Sequence, residues 1–182
     1  MKKIVTVPYP TLRKEAKEIK KITKDTKEIA VDLWYALTHS SIEGVGIAAP
    51  QIGTSERMFI LREGKENYQV YINPTIVWSS EISTTGFTRK GDTFLEGCLS
   101  IPNIYGVVIR PDSIEMEYLD LQGKKHRRKY KEPFSRYAQH EIDHLNGVLF
   151  TDHVISQKGK LYVVTEEDEL EEISLDALMQ QA

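Results

Sequence analysis

The chain has 182 residues, with 24 Lys and Arg against 27 Asp and Glu and a net charge of -3. That length suits one domain with a substantial core, and two halves would each be marginal. Hydrophobic residues at 40% and charged residues at 28% are an ordinary globular balance, with no global excess of positive charge to draw nucleic acid, DNA included, or an anionic membrane. The single cysteine, Cys98, excludes an internal disulfide and suits a reducing compartment. The apolar stretch after Met1-Lys2-Lys3 stops at Pro8, too short for a secretion signal, and no stretch approaches a membrane span. The expectation is a cytoplasmic protein without a membrane partner.

In chain order, Pro8-Tyr9-Pro10 reads as an extended turn, with Thr11 capping a short helix through Ala16. Apolar residues at Ile29, Leu33, Ala36 and Leu37 predict a helix over 25–39, with Asp25 as N-cap and Glu28 completing a capping box. Residues 44–53 are small and apolar and do not read as helix. Strands are predicted over 57–61 and 68–72 with a Gly-containing turn between them, and 74–78 as another. The Ser-, Thr- and Gly-rich stretch 79–93 reads as a loop or irregular hairpin. Further strands are predicted over 107–109 and 113–121, followed by a Gln122-Gly123 turn and a return strand over 126–130. Pro133 opens the strongest helix, which runs to about Asn146 and stops at Gly147. From Thr165 the tail carries seven acidic residues and no Lys or Arg. Its Leu170, Ile173, Leu175 and Leu178 fit a helical spacing. Strands in the middle and helices at both ends give an α+β protein.

The chemistry concentrates on His140-Glu141-Ile142-Asp143-His144. Histidines at i and i+4 share one helix face, as two ligands of one metal ion require. Glu141 lies about 100° round the helix, close to such an ion without binding it, where it can take a proton from water. A catalytic site of this type needs a third protein ligand. The long peptidase pattern would place a His where this chain has Phe150, so that pattern fails. Cys98, on a glycine turn after Glu96-Gly97 and before a strand, is the better third ligand, since a thiolate is a strong soft donor. Two rivals stay open on these residues alone. One is a metallopeptidase using a carboxylate of the tail. The other is a non-enzymatic metal-binding module closed by Glu96 or His126 as fourth ligand.

Three segments then resemble the signature motifs of the peptide deformylase family, in the family's order: 44–51 (GVGIAAPQ), 96–100 (EGCLS) and 139–145 (QHEIDHL). Pro10-Thr11-Leu12-Arg13 with Ala16 is similar to that family's opening, so the resemblance covers residues 4 to about 155. It implies a single catalytic domain over 1–182, with antiparallel β-sheets packed around a central helix that carries the HExxH motif, and the acidic tail from about 165. It implies removal of the formyl group from the N-formylmethionine of nascent proteins, releasing formate. It assigns Cys98, His140 and His144 to one divalent metal ion, ferrous iron first, with zinc, nickel or cobalt accepted by the same ligands. Glu141 becomes general base and then acid, with the Gln51 side chain and the Leu99 backbone N–H facing the oxyanion.

A formamide needs its carbonyl polarised and the developing charge met by fixed donors, which suits Gln51 and Leu99. Gly44, Val45 and Gly46 would let a peptide lie alongside as an extra strand, with Gly97 also among the substrate-binding residues. Tyr137, three residues before His140, could line the methionine pocket. Asp143 could pair with a basic residue such as Arg110 or serve a plain surface or helix-packing role, and Glu96 could orient a ligand histidine. His39, His126 and His153 are expected outside the chemistry. The stretch between Gln51 and Glu96 is somewhat long for the family's compact members. Some bacterial members touch the ribosome through a basic C-terminal helix; the acidic tail here argues against a contact of that kind.

Overall fold

The computed structural model describes residues 1–62, 67–86, 92–165 and 169–174. Helix α1 (Lys24–Thr38) is followed by β1 (Gly46–Ala48), a single 3-10 turn (Ala49–Ile52), β2 (Met58–Arg62) and β3 (Tyr68–Ser79). Then come β4 (Ser83–Thr84), β5 (Glu96–Cys98), β6 (Ile101–Gly106), β7 (Arg110–Pro111), β8 (Ser113–Leu119) and β9 (Lys125–Lys131). Helices α2 (Phe134–Leu145) and α3 (Phe150–Ser156) precede β10 (Leu161–Val164) and β11 (Leu170–Ile173). Among the described residues these strands pair antiparallel throughout: a five-stranded sheet β1-β2-β3-β8-β9, a four-stranded sheet β11-β10-β6-β5, and a small β4-β7 pair.

The five-stranded sheet is covered by a helix on each face, and β2 shows why. Its four apolar residues are all buried, and alternation sends them to opposite sides. Met58 and Ile60 pack with Leu33 and Leu37 of α1, whereas Phe59 and Leu61 pack with Ala138, Ile142 and Leu145 of α2. A third cluster holds Cys98, Ile101 and Ile104 against Phe150 and Val154 of α3 and Leu161 of β10. Helix α2 ends with Asn146 as its cap and Gly147 at φ 72, a left-handed turn that glycine adopts without strain.

Several local expectations are corrected. Helix α1 starts one residue earlier, with Thr23 as N-cap: Thr26 N–H donates to its hydroxyl, and the Thr26 hydroxyl accepts from the Thr23 N–H. Asp25 sits in the first turn, where a negative charge still favours the helix, and Glu28 pairs with Lys24. Only one 3-10 turn, Pro10–Arg13, forms near the start; Thr11 donates to the Pro50 carbonyl, and the Ala16 N–H leaves to bond Leu145. The 44–53 stretch contains the 3-10 turn as well as β1.

Residues 68–79 form one strand interrupted by bulges, because Asn73 at φ 50 turns its amide to bond both backbone groups of Ile19. No strand covers 107–109; the Gln157 amide bonds the N–H and carbonyl of Ile109 instead. Within 79–93, Ser83–Thr84 pairs with Arg110–Pro111, and 87–91 lie outside the described residues. The tail is strand at Leu170–Ile173, where the open edge of β10 supplies a ladder that a solvated helix would lack. Leu175 and Leu178 lie outside the described residues.

Candidate metal centre

The third motif puts its histidines on the second and third turns of α2, and the five-stranded sheet packs against that helix through Ala138, Ile142 and Leu145. Cys98 arrives from the other sheet, at the end of β5, where a register shift against β6 turns the chain. The potential donor atoms of Cys98, His140 and His144 lie within 4.8 Å of one another, the one such group of at least three among the described residues. Cys98 Sγ is 3.2 Å from His144 Nε2. The backbone N–H of Ser100 and the Gln51 amide also approach the sulfur, at 3.4 and 3.6 Å.

One soft sulfur and two imidazoles in a half-closed cleft are a donor set that fits a divalent transition metal. Two buried polar atoms beside them, Glu141 Oε2 and His144 Nδ1, have no hydrogen-bond partner in the protein. The cleft encloses about 210 Å3 and is lined by Val45, Gly46, Gln51, Gly97, Leu99 and Tyr137 together with Cys98, His140 and Glu141. The structure therefore brings together every residue the sequence singled out for this chemistry. Tyr137 packs its ring against Phe94 and Phe134.

Each of these side chains has an identifiable cause for its position. Gln51 sits in the 3-10 turn and its Oε1 accepts the Ala48 N–H at 2.8 Å, so its amide nitrogen faces Cys98 and Ser100. A Cβ on Gly46 would meet Glu141 Oε1 at 2.6 Å, so the absence of a side chain there makes room for the carboxylate. A Cβ on Gly97 would meet the Tyr105 ring at 2.7 Å.

The family model for polypeptide deformylase matches residues 1–160. The chain belongs to that family. Among relatives, a peptide deformylase of Brucella suis is 34% identical over 167 residues, covering 90% of this chain and 90% of that protein. A peptide deformylase of a Picosynechococcus species is 41% identical over 147 residues, covering 79% of this chain and 73% of that one. The crystal structure of peptide deformylase from Thermotoga maritima superposes with a TM-score of 0.75 at 33% identity, over 84% of this chain and 97% of that chain.

Behind the deformylase motifs stands a charged lattice that sequence reasoning saw only in part. Glu96 is buried and accepts from four donors. Arg110 Nε and Arg136 Nη1 bond Oε1, both at 2.7 Å, while Arg110 Nη2 at 3.0 Å and His140 Nδ1 at 3.2 Å face Oε2. Arg110 also reaches Asp143 at 2.8 Å, and Asp143 meets His153 at 2.9 Å. The Asp143–Arg110 pair and the Glu96–His140 contact are both present. Arg136 was missed, although it is buried and donates further to the carbonyls of Val108 and Thr84. The one available signal was its place a full turn before His140. His126 is occupied with Asp120, and His39 caps α1.

Burial works against the charge on Glu96, but the His140 bond and the Arg110 charge outweigh it and hold the carboxyl well below its usual range. Burial raises Glu141 to about 7. Burial also works against a charged His140, yet Cys98 and Glu96 raise it well above the ordinary histidine value; His144 is lowered well below that value by burial and by His140.

Proposed function

We propose that the chain hydrolyses the N-formyl group of nascent formylmethionyl peptides through Glu141, Gln51 and the Leu99 backbone, at a centre held by Cys98, His140 and His144. One observation carries this reading: the Glu141 carboxyl is buried beside the three ligands with Oε2 lacking any protein partner. A carboxyl raised to about 7 is suited to take a proton and return it near neutral pH. When bound, a divalent ion would polarise the formyl carbonyl and make water a better nucleophile. Ferrous iron is the ion we assign first, with zinc, nickel and cobalt accepted by the same donors.

The protein's own part follows from the lining. β1 is the edge strand of its sheet, and Val45 and Gly46 line the cleft beside it, so an extended peptide is expected to pair there. Tyr137 would border the methionine side chain and Gly97 its backbone. The Gln51 amide, fixed by Ala48, and the Leu99 N–H would face the formyl oxygen as negative charge develops on it. Glu141 accepts the proton of the attacking water. The C–N bond breaks, Glu141 returns the proton to the departing amine, and formate and a free amino terminus leave. The reading places the enzyme in the cytoplasm near the ribosome, with the acidic tail arguing against a tail-mediated contact. No described helix is long and apolar enough to cross a membrane.

The test is Glu141→Gln, with bound metal and formate release from a formyl-Met peptide both measured. Retained metal with a loss of about 10²–10⁴ in turnover is expected. Release at the original rate would overturn the assignment. Cys98→Ala should lose metal and activity together; retention of both would favour a peptidase built on other ligands.

A further inference from the structure

Positive charge is unevenly distributed on this acidic chain. Residues 1–27 and 124–131 hold 15 of the 24 Lys and Arg, against three acidic residues. The second segment is the turn into β9 and β9 itself, Lys-His-Arg-Arg-Lys-Tyr-Lys, the edge strand of the five-stranded sheet. Its even residues pair with Ile114, Met116 and Tyr118, which face α2. Lys125, Arg127, Lys129 and Lys131 therefore point to the opposite face, and all four are exposed.

On that outer face an aromatic ring joins the row. A register shift between Ile76 and Trp78 turns Trp78 outward, in line with Glu115 and Lys129. Trp78 is 46% exposed, with Lys129 Nζ 4.9 Å from its ring centroid. Round the turn into β9, Lys20 and Lys27 line a shallow groove with Leu121, Gln122 and Gly123. The facing acids are Glu115, Glu117 and Asp120. Glu115 pairs with Arg127, Glu117 with Lys125 and Arg127, and Asp120 with His126. Lys124, Lys129 and Lys131 form no ion pair among the described residues, although Lys129 lies opposite Glu115 and acts on its carboxylate. No residue of this face lines the metal cleft.

We infer that this face, from Trp78 across Lys129 and Lys131 to Lys124, Lys20 and Lys27, docks single-stranded RNA. Lysines at alternate strand positions, about 6.8 Å apart, offer a row of cations to a phosphate backbone, and an exposed indole offers a plane on which a base stacks. A groove flanked by lysines fits a strand better than the plane of a bilayer. The choice of RNA rests on the deformylase reading, because RNA is the polyanion that accompanies a nascent peptide. Binding is read without turnover, so failure here leaves that reading standing.

The experiment is fluorescence anisotropy of a labelled, short, mixed-sequence oligoribonucleotide with the full chain from about 50 to 200 mM KCl. The expected log–log salt slope is about -2 to -3. Lys124→Glu, Lys129→Glu and Lys131→Glu together should weaken binding at least tenfold and flatten that slope, with formate release unchanged. Trp78→Ala should weaken binding about fivefold or more without changing the slope. Replacing the three lysines by Gln gives a second, milder variant, with circular dichroism checking the fold. Unchanged affinity in both lysine variants would overturn the inference. So would absence of RNA binding at the lowest salt, or equal competition by polyglutamate or phosphatidylserine vesicles.

Discussion

At the scale of single residues, the cleft depends on what is missing as much as on what is present. Gly46 has no side chain, and the Glu141 carboxylate occupies the space a Cβ would need. Gly46→Ala should displace that carboxylate while the metal ligands stay in place. Formate release should fall by tenfold or more with metal content unchanged, as metal analysis beside a kcat measurement would read. Gln51 owes its orientation to one bond, in which its carbonyl accepts the Ala48 N–H and its amide is left facing the sulfur. Gln51→Leu keeps the bulk and removes the donor. The expected cost is about 10²–10³ in kcat, with a lowered thermal midpoint because the buried Ala48 N–H loses its acceptor.

At the scale of elements, α2 carries the motif and is anchored by a carboxylate from β5. Glu96 takes donors from Arg110, Arg136 and His140, so the helix, β7 and β5 converge on two oxygens. Arg136→Met would strand part of that charge and leave the Val108 and Thr84 carbonyls without their donor. A loss of about 3–5 kcal/mol in a denaturant titration is expected. Much of this was legible beforehand. The His140–His144 pair is a local helical pattern, and Cys98 and Glu96 stand in a recognisable turn. Arg136 was hidden because a buried arginine on a helix has the same spacing as a solvated one, and only the strand beneath distinguishes them. Leu170 and Ile173 misled for a related reason. Their spacing suits a helix, whereas the free edge of β10 decides for a strand. Helix α1 is capped by Thr23 and not by the expected Asp25, because both residue types cap well and only hydrogen-bond geometry separates them.

At the scale of the whole molecule, the proposed ligands come from both large sheets: Cys98 from the four-stranded one, the histidines from the helix packed on the five-stranded one. A metal held there ties the two layers, so removing it with a chelator should lower the thermal midpoint. The effect should depend on pH. His140 is raised well above the ordinary histidine value when metal-free, so at neutral pH it carries a proton that the ion must displace. Affinity should therefore fall on acidification, and the thermal difference between loaded and stripped protein should shrink with it. Calorimetry at several pH values reads both. A metal-loaded midpoint gap that stayed constant down to acidic pH would contradict the assignment of His140 as a ligand.

Cys98 is the chain's single cysteine, and it lies in the apolar cluster that packs β6, α3 and β10 together. Oxidation at that atom would withdraw a ligand and introduce polar oxygens among Ile101, Phe150 and Val154 in the same event. Damage and loosening would thus be inseparable: a copy that can no longer turn over substrate is also one whose second sheet is easier to prise open, and quality-control proteases would meet it already marked by its own chemistry.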